Sequence, residues 1–437
     1  MSSVARSFSS IGPADHGKPA TLAGWVEDVR NLGGIAFLIV RQRDGTFQAT
    51  VKKKGNEALF ESVAKIVRES VVAVEGTVQL NAQVRNGWEL LASRIDMLSA
   101  SAAPLPLPVA DKVGAEMDTR FDNRFLDLRK PERRAVFTVR SVVLAAIRER
   151  LAAQGFVEAH TPKLAGAGAE GGATLFETTY FGRKAYLSQS PQLYKQILMS
   201  TGLDRVYEIA PAFRAEPSDT VRHVTEFTSF DAEIAWIESQ EDVFRLLEDS
   251  VAHAIERVRT QAKDALALLH ADPKVPKLPL RRLPYAEAVE ILRGRGKHVR
   301  NGDDIDTEGE KLLGTALAEE GHELYFLTEY PAAIKPFYIM SKPDEPDVSF
   351  SFDLEYKGDE MASGGQREHR YDVLVARMRE KGLNPDSFEF YLKAFRYGMP
   401  PHGGWGFGID RFVQKLLDLP NVREAILFPR DRVRLVP

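Results

Sequence analysis

Phe213 to Phe227 reads FRAEPSDTVRHVTEF, which sets two arginines, a histidine and three acidic residues between the apolar flanks RVYEIAPA and TSFDAEIAWI. Two strand-like segments joined by so charged a turn predict an antiparallel hairpin. A charged connection of this kind is ordinarily a solvated loop. The other reading is a clamp for a charged ligand, and the rest of the chain has to separate the two.

A chain of 437 residues is too long for one ordinary core and predicts two or three domains. Its hydrophobic share of 44% is enough to build them. No run of eighteen apolar residues occurs, and the opening MSSVARSFSSIGPADHGK lacks the apolar core of a signal peptide, so the expectation is a cytoplasmic protein with no membrane partner. The absence of cysteine excludes disulfides, thiolate catalysis and cysteine zinc sites. A net charge of −4 argues against a nonspecific coat on nucleic acid, so any nucleic-acid partner is met by a specific surface.

Between residues 20 and 98, the runs TLAGWVEDV, IAFLIVRQ, FQATVKK, VVAVEGTVQL and WELLASRIDML read as five short strands, with a helix expected over NEALFESVAKIVRE. That order fits a small closed barrel of the OB type, with other small barrels as the alternative. The first domain is accordingly set at 1–103. SASAAPLPLPVADK is too rich in proline and small residues for regular structure, and 104–134 is read as linker or hinge. A helical period resumes in VFTVRSVVLAAIRERLAAQGF, and further helices are expected near 241–269 and 308–320. Strand-like runs such as RVYEIAPAF, LYFLTEY, SFSFDLEY and GWGFGIDRF lie among them without βαβ alternation, so 135–437 is predicted to be an α+β domain.

No GxxxxGK[ST] loop, strand-borne GxGxxG or HExxH is present, so a nucleotide would have to be held by side chains. Three stretches form a set: GFVEAHTPKL (Gly155–Leu164) after a long helix, FRAE…RHVTEF, and GGWGFGIDRF (Gly403–Phe412), whose spaced glycines allow close approach before Arg411. In this order and spacing they resemble motifs 1, 2 and 3 of the class II aminoacyl-tRNA synthetases. SQSPQLYKQ, FDLEYKGDEMASGGQREHR, FYLKAFRYGMPPHGG and LFPRDRVRLVP are similar to the compact archaeal-type aspartyl-tRNA synthetases over nearly the whole chain.

That resemblance implies an OB-fold barrel that binds the anticodon, an antiparallel catalytic sheet flanked by helices, and a homodimer built on motif 1 with Pro162. It implies ATP as a substrate, Mg2+ as cofactor, L-aspartate as the amino acid and tRNA(Asp) as partner, with no DNA. Arg214 would bridge the substrate carboxylate and the α-phosphate, a role suited to its planar fork. Glu216 would read adenine, Arg222 and His223 would hold the outer phosphates, Phe227 would stack under the base, and Gly408 and Arg411 would complete the nucleotide site. Glu360 and Ser363 stand at the family's metal position, with Asp353 as an outer partner; on the residues alone, this acidic run is equally a solvated face. Lys195 and Arg367 would face the aspartate side chain, and Glu170 and Gln192 the α-amino group. Such paired cations reject a neutral amide by ~10⁴-fold or more. AGAGAEGGATLF (Ala165–Phe176) is either a lid carrying Glu170 or a flexible connector.

In the barrel, Phe37 matches a base-stacking position and is otherwise core; Gln48, Arg85 and Glu89 match positions that touch the anticodon. Trp25, Glu27 and Arg85 lie where relatives differ in accepting tRNA(Asn). Glu27 replaces an aromatic residue expected in some archaeal relatives, so the resemblance implies either an enzyme strict for tRNA(Asp) or a relaxed one that also charges tRNA(Asn). Asparaginyl-tRNA synthetase shares all three motifs, and a noncatalytic tRNA-binding paralogue is the rival of another class.

Overall fold

The computed structural model describes residues 7–110, 114–166, 174–215, 220–300 and 302–436. The chain forms two compact units, Met1–Lys130 and Pro131–Pro437.

In the first unit β1 (Pro19–Asn31), β2 (Ile35–Arg41), β3 (Thr46–Lys52), β4 (Val71–Leu80) and β5 (Trp88–Ser99) close into a barrel in the order β1-β2-β3-β5-β4. The β3–β5 pair is parallel and the other pairings are antiparallel, which is the closure expected of an OB barrel. Alternation decides the two faces: Ala36, Leu38 and Val40 of β2 point into the core with Leu22, Val74 and Leu90. The helix between β3 and β4, α1 (Glu57–Val63), is shorter than the sequence suggests. Glu69, the last residue of the expected helix, lies six residues past its end. It adopts a left-handed backbone at φ 66° and buries its carboxylate against Arg41 and Arg129, each at 2.7 Å, a geometry a continuing helix would forbid. Past β5, the proline-rich stretch has no regular structure, but α2 (Met117–Asp122) and α3 (Arg124–Asp127) follow within the segment read as a hinge. Leu107, Val109 and Leu126 bury one another there.

The second unit opens with α4 (Pro131–Ala153), whose Val136, Val139, Val143, Ala146, Ile147 and Leu151 recur at helical spacing and are buried. Then come β6 (Val157–Glu158), a small sheet of β7 (Leu164–Ala165), β8 (Glu177–Tyr180) and β9 (Arg183–Leu187), and α5 (Gln192–Met199). The hairpin of the opening stretch is β10 (Arg205–Phe213) and β11 (Glu226–Ala235), paired antiparallel from Phe213↔Glu226 to Arg205↔Ile234. Next are α6 (Gln240–Gln261), α7 (Lys263–Leu269), β12 (Arg281–Pro284), α8 (Tyr285–Gly294), α9 (Thr307–Glu319) and β13 (Leu324–Thr328). The chain ends with β14 (Ser351–Tyr356), β15 (Glu360–Gln366), α10 (Tyr371–Glu380), α11 (Glu389–Arg396), β16 (His402–Gly408) and α12 (Ile409–Leu416).

Among the described residues, eight strands form one sheet in the order β12-β13-β14-β15-β16-β11-β10-β6. Its inner pairings are antiparallel, while the outermost pairs β12–β13 and β10–β6 are parallel, so the sheet is mixed at its edges. One face carries Phe230, Ala232, Ile234, Phe352, Leu354, Trp405 and Phe407 into a core shared with α4, α6 and α12. Each buried aromatic contributes about 2–3 kcal/mol by leaving water, which fixes which face is inside. The alternate residues of the same strands are left for the opposite face.

Candidate active site

That opposite face is polar because the strands alternate. In β11, Phe227, Ser229, Asp231 and Glu233 fall between the core residues; in β14, Ser351, Asp353 and Glu355 do; in β16, Gly404, Gly406 and Gly408 do. Over them lies a cavity of about 630 Å³. Its walls bring together Gln192, Arg214, Arg222, His223, Phe227, Glu360, Ser363, Arg367, Gly408 and Arg411. Glu170 and Glu216 lie outside the described residues.

The charged turn does face this cavity. Arg214 N donates to Thr225 O at 2.9 Å and closes the base of the β10–β11 connection. The Arg214 guanidinium stands over the Phe227 ring at 5.2 Å. Arg222 is tied to Asp359 at 2.7 Å, to Glu310 at 2.9 Å and to Thr307 on α9. Burial works against its charge, yet Glu310 and Asp359 raise its pKa. Asp359 is fully buried and also receives Lys311 and Lys415, so these cations overcome burial and hold its carboxyl below the usual range. Arg411 Nη1 donates to Glu360 O at 2.7 Å.

The floor is a closed charge set. Lys195, 3% exposed on α5, donates to Trp405 O at 2.7 Å and Asp231 Oδ1 at 3.0 Å, with Glu233 at 3.6 Å. A surface lysine is thereby ruled out. Lys195 does not itself line the cavity; Asp231, its partner, does. Arg367 holds Glu233 through Nε at 2.8 Å and Nη2 at 3.2 Å and reaches Gln192 Oε1 at 3.4 Å. Burial alone would raise the Glu233 carboxyl, but Arg367 and Lys195 outweigh it and hold it below the usual range. His402, fully buried beside them, is pushed down to about 4 by burial, against the pull of Glu233.

The glycines of β16 serve this set. A Cβ on Gly404 would stand 2.1 Å from Ala232 O and 2.3 Å from Glu233 Oε2, so only glycine leaves the carboxylate its place. Gly406 faces Asp231 in the same way, at 3.0 Å. The close approach expected of a ligand is made here first by two carboxylates of β11.

Hard-oxygen donors collect on β14 and β15. Asp353 pairs with Ser363 across the strands and Glu355 with Glu360. Asp353 Oδ1 and Glu355 Oε2 are buried with no hydrogen-bond partner, while Lys335 takes Asp353 Oδ2 at 2.9 Å. Burial first, then neighbouring carboxylates, push Glu355 well above the usual range, and burial with Asp353 raises Glu360. Among the described residues no cluster of three or more His, Asp or Glu is arranged to hold a metal alone. The donor set suits a Mg2+ that takes one or two protein oxygens and completes its shell with phosphate and water.

Behind the cavity, Arg140 of α4 pairs with Asp410 and donates to Thr228 Oγ1 at 2.7 Å, while Thr228 N donates to Asp410 Oδ2 at 2.7 Å. Asp231, Glu233, Gln196, His402, Arg140 and Asp410 were not singled out from the sequence. The alternation in TSFDAEIA, which places Asp231 and Glu233 on the face of Phe227, was the available signal for two of them.

The barrel carries its own polar face. Phe37 is half-buried and lies outside the barrel core, opposite Thr50. Gln48 Nε2 and Thr50 Oγ1 both donate to Glu89 Oε2, at 2.7 and 2.5 Å. Arg85 is exposed in the β4–β5 turn. Glu27 pairs with Arg41 at 3.4 Å, and Arg129 lies over the Trp25 ring at 5.2 Å.

Comparison with known proteins agrees with both units. The chain is 54% identical over 431 residues to the aspartate–tRNA(Asp) ligase of Thermococcus kodakarensis, covering 98% of each chain. It is 50% identical over 428 residues to the aspartate–tRNA(Asp/Asn) ligase of Methanothermobacter thermautotrophicus, covering 98% of this chain and 97% of that one. The crystal structure of asparaginyl-tRNA synthetase from Pyrococcus horikoshii complexed with asparaginyl-adenylate superposes with a TM-score of 0.92 at 35% identity, over 99% and 100% of the two chains. No described helix is long and apolar enough to cross a membrane. With residues 20–98 matching the OB-fold nucleic acid binding domain and residues 116–432 matching the tRNA synthetases class II (D, K and N), the chain belongs to the class II aminoacyl-tRNA synthetases.

Proposed function

We propose that the protein is an aspartate–tRNA ligase, which joins L-aspartate to ATP as aspartyl-adenylate and then transfers the aspartyl group to the 3′ end of tRNA(Asp). The observation that carries this reading is the buried set of Lys195, Asp231, Glu233 and Arg367 under the cavity. In activation, an aspartate carboxylate oxygen attacks the α-phosphorus and pyrophosphate leaves; in transfer, a terminal tRNA hydroxyl attacks the acyl carbon and AMP leaves. Arg214, on the cavity wall, holds both anions of the first step in this reading, since a preorganised guanidinium stabilises the charge that builds there. Arg222 and His223 take the outer phosphates, and Phe227, Gly408 and Arg411 the nucleoside end. Glu170 and Glu216 keep the roles that the family resemblance gives them.

Mg2+ would sit against Glu360 and Ser363, with Asp353 behind, and supply Lewis-acid neutralisation of phosphate charge. Lys195, held under the cavity against Asp231, supplies positive charge beneath the amino acid's side-chain carboxylate, and Arg367 meets it directly. Asparagine in the same place would leave these cations with a neutral amide, which a site of this kind rejects strongly. The proton released on transfer goes to the adenylate phosphate, so no side-chain base is required.

Residues 1–103 act as the anticodon-binding domain, 104–134 as a hinge and 135–437 as the catalytic domain of a cytoplasmic homodimer built on motif 1. Phe37, Gln48, Arg85 and Glu89 read single-stranded bases. Relatives of nearly equal similarity are named for tRNA(Asp) and for tRNA(Asp/Asn), so tRNA range is the finer question. Aminoacylation with radiolabelled aspartate on purified tRNA(Asp) and tRNA(Asn) tests the reading. Charging of tRNA(Asp) alone marks a strict enzyme and charging of both a relaxed one; charging of neither overturns the proposal.

A further inference from the structure

A directed line of hydrogen bonds runs from the backbone before β16 to the cavity wall. Pro400 O can only accept, so His402 Nδ1, 2.8 Å away, carries the ring proton. In the neutral ring Nε2 is then bare, and Gln196 has to present its amide nitrogen there, at 3.1 Å. That commits Gln196 Oε1 to accept, which it does from Gln192 Nε2 at 3.0 Å and Tyr391 Oη at 3.2 Å. The Gln192 nitrogen is thus turned to Gln196, and its Oε1 to Arg367 Nη2 at 3.4 Å. Gln192 is 5% exposed and Gln196, Tyr391 and His402 are fully buried, so a reversed amide would lose its partner in a place with little access to water.

We propose that Gln196 and His402 are positioning residues for amino-acid binding, holding the Gln192 amide with its oxygen toward the cavity as the acceptor for the substrate's α-ammonium group. The inference rests on the amino-acid site proposed above. A reversed Gln192 would turn its NH2 toward both the Arg367 guanidinium and the incoming ammonium group, leaving donors facing donors. Neither Gln196 nor His402 touches substrate; both act through Gln192.

Gln196→Met and Gln196→Glu have nearly the original size and separate this role from packing. Methionine suits a buried apolar gap but can neither fix Gln192 nor answer His402. Glutamic acid shares one proton with the His402 ring, so an oxygen still accepts from Gln192 whichever partner holds that proton. The test is ATP–pyrophosphate exchange with aspartate, with thermal melting of each variant alongside. Gln196→Met is expected to raise the aspartate KM roughly ten- to a hundredfold, the loss of a hydrogen bond to a charged group. Its ATP KM should stay within about twofold, since the line does not reach the nucleotide residues. Gln196→Glu should keep the aspartate KM near wild type even if it melts lower, and His402→Leu should follow methionine. Equal aspartate KM values for the two Gln196 variants, or a better value for methionine, would overturn the proposal. A wild-type enzyme that exchanges pyrophosphate with no dependence on aspartate would instead sink the aspartate reading itself.

Discussion

Replacing Lys195 by methionine keeps an unbranched side chain, one heavy atom shorter, and removes the ammonium group with its charge and its donors. Asp231 Oδ1 and Trp405 O then lose the Lys195 donor, and the Glu233 carboxylate loses a cation 3.6 Å away; all three residues are 3% exposed or less. Two buried carboxylates would be left to the single guanidinium of Arg367, which already spends two bonds on Glu233. Breaking a buried ion pair from one side costs about 3–5 kcal/mol, far above the worth of a surface pair. Binding suffers separately, because the substrate's side-chain carboxylate would approach a floor whose balance has turned negative. We expect aspartate kcat/KM to fall by ~10³-fold or more, and the preference for aspartate over asparagine to collapse. Urea unfolding gives the first number, and pyrophosphate exchange with each amino acid the second. An unchanged urea midpoint would refute the charge argument, and a retained aspartate preference would refute its link to specificity.

Three further outcomes follow from the same geometry. His402 stays neutral in the folded protein down to about pH 4, whereas an unfolded histidine takes its proton near 6.5. Its contribution is therefore complete above the unfolded value and is lost as pH falls between the two. That is about 2 kcal/mol between pH 7 and pH 5, and urea titrations should show this slope flattened in His402→Leu. Glu233, Arg367 and His369 are the charged groups that bear on it. Gly404→Ala forces a Cβ against Ala232 O and Glu233 Oε2, so strand separation and the Arg367 pair both give way; stability should drop by about 2–4 kcal/mol with a raised aspartate KM, and a wild-type melting temperature would contradict it. Phe37→Ala should leave barrel stability and pyrophosphate exchange intact while raising the tRNA KM, since base stacking contributes ~1–3 kcal/mol; an unchanged charging rate at limiting tRNA would remove Phe37 from the interface.

Most of the strands were legible because their patterns are strong. VVAVEGTVQL is β4 and RVYEIAPAF is β10, residue for residue. β15 was not read as a strand: EMASGGQ has small residues and glycines of low strand propensity, and it is held between β14 and β16 by pairing on both sides. α5 hid for a different reason. Its Gln192, Lys195 and Gln196 are polar residues that sequence logic sends outward, yet each is buried because partners from β11, from β16 and from Arg367 just past β15 meet the helix. Of the residues that motif spacing proposes for the nucleotide, Arg214, Arg222, His223, Phe227, Glu360, Gly408 and Arg411 line one cavity, and Glu216 lies outside the described residues. The carboxylates that hold Lys195 and Arg367 in place were not found in this way, since alternation puts Asp231 and Glu233 on the Phe227 face but does not say that this face is covered until the glycines of β16 are laid against it.

Arg140 has a wider consequence. Thr228 follows Phe227 and Asp410 precedes Arg411, and one guanidinium on α4 fastens both neighbours. The two jaws proposed for adenine are therefore gauged from a single point that stands outside the cavity. A shift of α4 would displace Thr228 and Asp410 together, and so carry Phe227 and Arg411 with them without changing any residue that lines the cavity. In a dimer built on motif 1, the fit between subunits and the grip on the nucleotide base would then share one mechanical calibration.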